Sequence, residues 1–180
     1  MNNSTALNQV SRITVVAFLI ALEVVLTRML SINTPLIRIS LGFLPIALIA
    51  IMYGPIWSAI AYAIGDIIGA MLWPTGPFFP GFTLSAILTG LTFGLFLYRK
   101  PITWKQSLLP AILISVVINM LLNNVWLYMI MGNAVFGILP MRIVKEAVMI
   151  VVMTITIPLV WKVLGSHVTR ILHLDVKTVA

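Results

Sequence analysis

A chain of 180 residues that is 61% hydrophobic and only 8% charged, with mean hydropathy +1.14, lies outside the soluble globular class, where about a quarter of residues are charged. The net charge of +7 would suit nucleic acid or anionic lipid, but the basic residues sit at the ends of apolar runs, so membrane topology and an anionic ligand account for them and no nucleic acid is expected. The absence of cysteine excludes disulfides, thiolate metal sites and cysteine nucleophiles.

Met1 to Gln9 is polar and lacks a basic n-region, and the apolar run from Ile13 is long enough to remain as a span. Crossing a bilayer takes about 20 apolar residues per helix. On that measure the sequence predicts an all-α integral membrane protein of six transmembrane helices forming one domain over residues 1–180. The spans are Arg12–Met29, Ile39–Tyr53, Ile56–Trp73, Gly81–Tyr98, Gln106–Ile130 and Pro140–Leu164. The second is short and holds Pro45, so a kink or tilt is expected there. Gly54-Pro55 turns between the second and third spans, Arg99-Lys100-Pro101 closes the fourth, and Met131-Gly132-Asn133 follows the fifth. The tail from Gly165 mixes apolar and basic residues and is expected at the membrane surface.

Six spans place both termini on one side. That side carries Arg12, Arg99, Lys100, Lys105, Lys162, Arg170 and Lys177; the other carries Arg28, Arg38, Arg142 and Lys145. The excess predicts cytoplasmic termini in a multi-pass plasma-membrane protein. Four cations on the outer side then need a reason. Snorkelling to headgroups is one. Arg142 and Lys145, however, fall in the first turn of a helix starting at Pro140, where cations oppose the helix dipole unless an anion binds. Glu146, four residues after Arg142, offsets part of that charge. With Arg28 at the outer end of the first span, these residues are candidates for a carboxylate clamp.

The stretch Trp73 to Phe82 carries three prolines, two glycines and three phenylalanines. No helix runs through Pro74, Pro77 and Pro80, and stiff irregular backbone at a membrane boundary belongs against protein or over a cavity. Phe78, Phe79 and Phe82 are therefore candidate stacking faces on a capped pocket. Asp66 lies about 10 Å below Trp73 along its helix. A carboxylate at that depth faces a cavity or a partner, so it either contacts ligand or bridges to Arg28. Glu23, deeper in the first span, reads as a structural pairing. Asn123 and Asn124, with Asn119 one turn earlier, offer the donors and acceptors that suit a heterocycle edge or an interhelical hydrogen bond. Small-residue rows (Ala17 and Ala21; Ala61, Gly65 and Gly69; Gly90 and Gly94) mark close helix contacts.

No G-x-x-x-x-G-K-[ST] phosphate loop is present, no H-E-x-x-H, and the two histidines, His167 and His173, lie on the tail. A serine nucleophile would lack a base within the membrane, so an enzyme is not expected and no cofactor or metal is called for.

Several stretches resemble one family. They are Arg28 to Pro35 (RMLSINTP), Arg38 to Pro45 (RISLGFLP), Tyr53-Gly54-Pro55, Gly65-Asp66 and, above all, Pro74 to Ala86 (PTGPFFPGFTLSA). Together they resemble the S components of energy-coupling factor (ECF) vitamin transporters, most of all the folate-specific branch. The resemblance implies capture of folate without catalysis, in an outward pocket formed by the outer halves of spans four to six. The Leu30–Ser40 and Pro74–Gly81 loops would be its lids. It also implies a transmembrane T subunit and two ATPase subunits as partners, met through Ala17-xxx-Ala21, and toppling of the S component to release substrate inside. Folate's pterin, aryl ring and carboxylates suit the amides, aromatics and cations singled out above. The competing readings are the same fold binding another vitamin or a queuosine precursor, and a self-sufficient secondary carrier. A carrier would be supported by an inverted repeat, and none is apparent.

Overall fold

In hydrocarbon every backbone N–H and C=O must be satisfied within the chain, which leaves helices as the form open to these apolar runs. The computed structural model describes residues 3–33, 38–74 and 78–172, and side chains over 9–31, 39–74 and 78–165. In chain order the elements are α1 (Asn3–Arg28), a short antiparallel ladder of β1 (Ile32–Asn33) and β2 (Arg38–Ile39), α2 (Phe43–Tyr53), α3 (Pro55–Leu72), α4 (Pro80–Leu97) and α5 (Trp104–Leu113). Helix α5 runs on through a π-helix (Ile114–Leu122) into α6 (Asn123–Met131), and a 3-10 turn (Gly132–Ala134) leads to α7 (Val135–Leu172).

Helix α2 is apolar all round, and it is the hub of the core: Ile46, Ile49 and Ala50 are 0% exposed. At 11 residues it spans only about 16 Å, half of a bilayer core. The kink expected at Pro45 is not required, because Pro45 lies in the first turn of α2, where its missing N–H breaks no bond. The same buried cluster includes Phe93 and Leu97 of α4, Ala111 and Ile114 of the fifth segment, and Met153, Ile157 and Trp161 of α7.

Helices α3 and α4 approach most closely, and small residues are the reason. A Cβ on Gly90 would lie 2.5 Å from the Ser58 carbonyl oxygen, and one on Gly94 would overlap the Pro55 backbone. The Ser58 hydroxyl donates across this seam to the Gly90 carbonyl at 2.8 Å. On α1 the faces divide differently: Val16, Leu19, Glu23 and Val24 are buried, whereas Ala17, Ala21 and Val25 face outward.

Two turns use glycine where a side chain would be strained. Gly54 (φ 90°) joins α2 to α3, and Gly132 (φ 61°) ends α6. The second matters for topology. The apolar stretch Trp104–Gly165 counts 62 residues, about 93 Å if straight; the break at Gly132 folds it back so that α5 packs on α7. Among the described residues, Gln9–Arg28, Pro55–Leu72 and Pro80–Leu97 are likewise long and apolar enough to cross a membrane. The outward side chains include Phe18, Ile60, Leu95, Val151 and Leu159, each more than half exposed. An apolar exterior of this extent belongs in lipid, so the chain is a multi-pass membrane protein.

Candidate functional site

At the end of the bundle holding the α3–α4 connection, one polar chain ties three helices. The Arg28 guanidinium, 9% exposed, lies 3.7 Å from Asp66, and its Nη1 donates to the Trp73 carbonyl at 3.4 Å. The Thr83 hydroxyl of α4 donates to the other Asp66 oxygen at 2.8 Å. Gly69 makes room for this: a Cβ there would meet Arg28 Nε at 2.7 Å. Of the two roles open to Asp66, the bridge to Arg28 is thus present. Asp66→Asn is expected to lower thermal stability by about 1–3 kcal/mol, the scale of a charged hydrogen bond, with ligand affinity little changed. A loss of affinity at unchanged stability would instead make Asp66 a ligand contact. Glu23, 2% exposed, accepts from Thr27 at 2.9 Å and lies in the cleft that Gly65 leaves.

A second polar cluster lies between the fifth segment and α7. Glu146 is buried at 3% exposure; one carboxylate oxygen accepts from Lys145 Nζ at 2.6 Å and the other from Asn119 Nδ2 at 3.1 Å. Asn123 Nδ2 donates to Asn119 Oδ1 at 3.1 Å, and Arg142 Nη2 to the Asn119 carbonyl at 3.0 Å. Asn124 Nδ2 turns to the Met120 carbonyl at 2.6 Å. Among the described residues, Arg142 Nε, Asn123 Oδ1 and Asn124 Oδ1 are buried without a hydrogen-bond partner.

The helix-dipole argument for Arg142 and Lys145 is corrected here. Helix α7 starts at Val135, with Pro140 inside it, so both cations lie beyond its first turn. They are accommodated by Glu146 and Asn119, not by a helix N-terminus. Asn119 itself sits within the π-helix, where the Asn123 N–H bonds the Ile118 carbonyl five residues back. Such wide turns recur at functional sites. Nothing in the residue spacing announces this one.

The aromatic group is built on the start of α4. Phe79, just before Pro80 at the first helical position, packs 6.1 Å from Phe82 and 5.7 Å from Trp126 of α6. Gly81 is the floor of this contact, since a Cβ there would meet the Trp126 ring at 2.6 Å. Trp126 Nε1 donates to the Ser85 hydroxyl at 3.1 Å. Phe78 stands apart, 58% exposed. The parts of the two expected lids at residues 34–37 and 75–77 lie outside the described residues.

The structure therefore joins Phe79 and Phe82 to Trp126, joins Asn123, Arg142 and Lys145 through Asn119 and Glu146, and gives Arg28 and Asp66 to a separate bridge. Thr83 and Ser85 link α4 to the Asp66 bridge and to Trp126, respectively. Sequence reasoning passed over Thr83, Ser85 and Trp126 as site residues, and Glu146 as the hub. The signal for Glu146 was its position beside Lys145 and four residues from Arg142; Thr83 and Ser85 carried none. Among the described residues no group of three or more His, Cys, Asp or Glu could hold a metal.

Residues 11–171 match the family of the ECF transporter, substrate-specific component. The chain is 44% identical over 146 residues to a folate transporter, FolT, of Clostridium novyi (strain NT), covering 81% of this chain and 85% of that one. It is 35% identical over 140 residues to FolT of Leuconostoc mesenteroides, covering 74% and 75%. A crystal structure of FolT bound with folic acid superposes with a TM-score of 0.75 at 35% identity, covering 80% of this chain and 87% of that one.

Proposed function

Because this chain belongs to the family of ECF transporter substrate-specific components, we propose that it is a folate-binding S component that captures folate outside the cell. Release inside would follow when it is coupled to a transmembrane T subunit and two ATPase subunits, which supply ATP hydrolysis. The observation that carries the reading is the structural likeness to FolT in its folic-acid-bound form. The whole chain acts as one domain in the bacterial plasma membrane. Four passes are the long helices α1, α3, α4 and α7, the fifth is the α5–α6 segment, and α2 with the ladder before it makes the remaining one. The termini are cytoplasmic, in keeping with the seven Lys and Arg on their side.

On this reading Phe79 and Phe82, backed by Trp126, supply ring faces for an aromatic ligand, and Phe78 extends them at the mouth. Asn123 and Asn124 hold their free carbonyl oxygens for its polar edge. With Arg28 offset by Asp66 and Lys145 by Glu146, Arg142 leaves this group of five charges net positive, which favours an anionic vitamin. The purified protein is expected to bind one folate per chain in native mass spectrometry and calorimetry. A preparation that stays unliganded with folate added, or that takes up a different vitamin in its place, would sink the substrate assignment.

A further inference from the structure

We infer that the turn between α4 and α5 is a headgroup site for anionic phospholipid, with Arg99 and Lys105 as its cations and Leu95, Trp104 and Leu109 as its apolar flank. The site does not depend on the folate reading; only the leaflet, the cytoplasmic one, follows from the orientation proposed above.

This turn concentrates positive charge that no acid in the described chain answers. Residues 99–105 hold Arg99, Lys100 and Lys105, and no Asp or Glu occurs between Asp66 and Glu146. Asp66 is committed to Arg28 and Glu146 to Lys145, while Glu23 is buried on α1. Lys100 Nζ donates to the Leu95 carbonyl at 3.0 Å, capping the end of α4. Arg99 and Lys105 are exposed, and among the described residues neither forms a hydrogen bond or an ion pair. Each lies instead over the ring of the residue before it, Arg99 5.0 Å from Tyr98 and Lys105 5.4 Å from Trp104. Gln106 Nε2 donates to the Phe96 carbonyl at 2.7 Å, so the first turn of α5 is tied to the last turn of α4.

The backbone adds a second sign. Arg99 has φ 55° and is the non-glycine residue with positive φ among those described. Glycine usually takes the left-handed position after a helix. An arginine is less easily accommodated there, and what it adds is charge. Outliers of this kind point toward function.

A basic turn that met only water would be flanked by polar surface. Here Leu95, Trp104 and Leu109 are each more than half exposed. Cations at the water side, an indole beside them and leucines farther along each helix match the pattern of a phospholipid, phosphate above and acyl chain below. The face proposed for the T subunit lies on α1, which packs on α2 and α3, whereas α5 packs on α4 and α7. The α4–α5 turn is thus left to lipid, and a headgroup held there fixes the depth of this hairpin in the bilayer.

Native mass spectrometry of the full chain in detergent, with dioleoylphosphatidylglycerol or dioleoylphosphatidylcholine added, tests the site. The wild-type chain is expected to retain one phosphatidylglycerol at concentrations where phosphatidylcholine leaves no adduct, and inorganic phosphate should not displace it. Arg99→Gln combined with Lys105→Gln is expected to lower phosphatidylglycerol affinity about tenfold or more, because each basic residue near an anionic surface contributes several-fold. Arg12→Gln combined with Lys162→Gln removes two charges from positions where cations stand singly, and should change that affinity less than about twofold. Equal loss in the two double variants would show a diffuse charge effect and overturn the site, as would no loss in either. Displacement by inorganic phosphate would also overturn it, leaving an anion site that needs no lipid. The wild-type comparison stands even if a variant does not fold: no preference for phosphatidylglycerol would overturn the lipid reading and leave these cations to an acidic protein surface.

Discussion

Replacing Ala17 and Ala21 together with tryptophan is expected to reduce folate uptake in cells to background while folate binding by the purified chain stays within about twofold, as for surface substitutions generally. The expectation comes from the way α1 divides its faces. Val16, Leu19, Glu23 and Val24 are buried against the bundle, whereas Ala17, Ala21 and Val25 point away from it. The other small-residue rows behave differently: Gly65 and Gly69 accommodate Glu23 and Arg28, and Gly90 and Gly94 seat α4 on α3. A row of small residues facing lipid lets another helix approach closely, and the proposed T subunit is the partner that coupling requires. Uptake assays with the coupling subunits co-expressed, alongside calorimetry on the isolated chain, separate the two roles. Binding lost together with uptake would mean that this face supports the fold and does not dock a partner.

Gly94→Ala and Gly90→Ala are expected to be the most damaging single-methyl changes in the molecule. Alanine gains about 1 kcal/mol over glycine in a helix interior, so the local term favours both substitutions. Packing reverses the sign. The new methyl at 90 would sit 2.5 Å from the Ser58 carbonyl oxygen and 2.7 Å from Ala59 Cα. These are backbone atoms that cannot rotate away, and overpacking costs about 1–3 kcal/mol, more where nothing yields. At 94 the obstruction is the backbone of Pro55, at the start of α3. Separating α3 from α4 would also break the Ser58 to Gly90 hydrogen bond. The melting temperature in detergent should fall by roughly 5 °C or more for either variant. Gly137→Ala, at a position with nothing within 4 Å, serves as the control and should not fall. Equal melting of all three would show that the α3–α4 seam is looser than described.

Several features of the candidate site follow from the sequence. Pro74, Pro77 and Pro80 recur every third residue, so no unbroken ladder of helical hydrogen bonds crosses all three, and an aromatic-rich break between α3 and α4 followed from local chemistry; Pro80 itself opens α4. Arg28, Asp66, Arg142 and Lys145 stood out because charge is costly at such depths. The start of the last helix was misplaced because Pro140 was read as its beginning. In fact α7 starts five residues earlier and carries the proline inside. The π-helix was invisible for a related reason: its wider turn leaves no mark in composition or periodicity, and only the backbone bond from the Asn123 N–H to the Ile118 carbonyl reveals it.

By itself, then, the sequence determined that this is a multi-pass helical membrane protein, that an aromatic break separates α3 from α4, and which polar residues need partners. Those properties depend on hydropathy, proline geometry and the cost of burying charge, which act within a few residues of chain. Only the tertiary structure decided which partner each polar residue takes. It gave Arg28 to Asp66, gave Lys145 to Glu146, and left Arg142 Nε and Asn123 Oδ1 open. A helix turned about its axis by one residue changes every such pairing without changing its hydropathy, and that rotation is settled by how Gly65, Gly69, Gly90 and Gly94 let the helices approach.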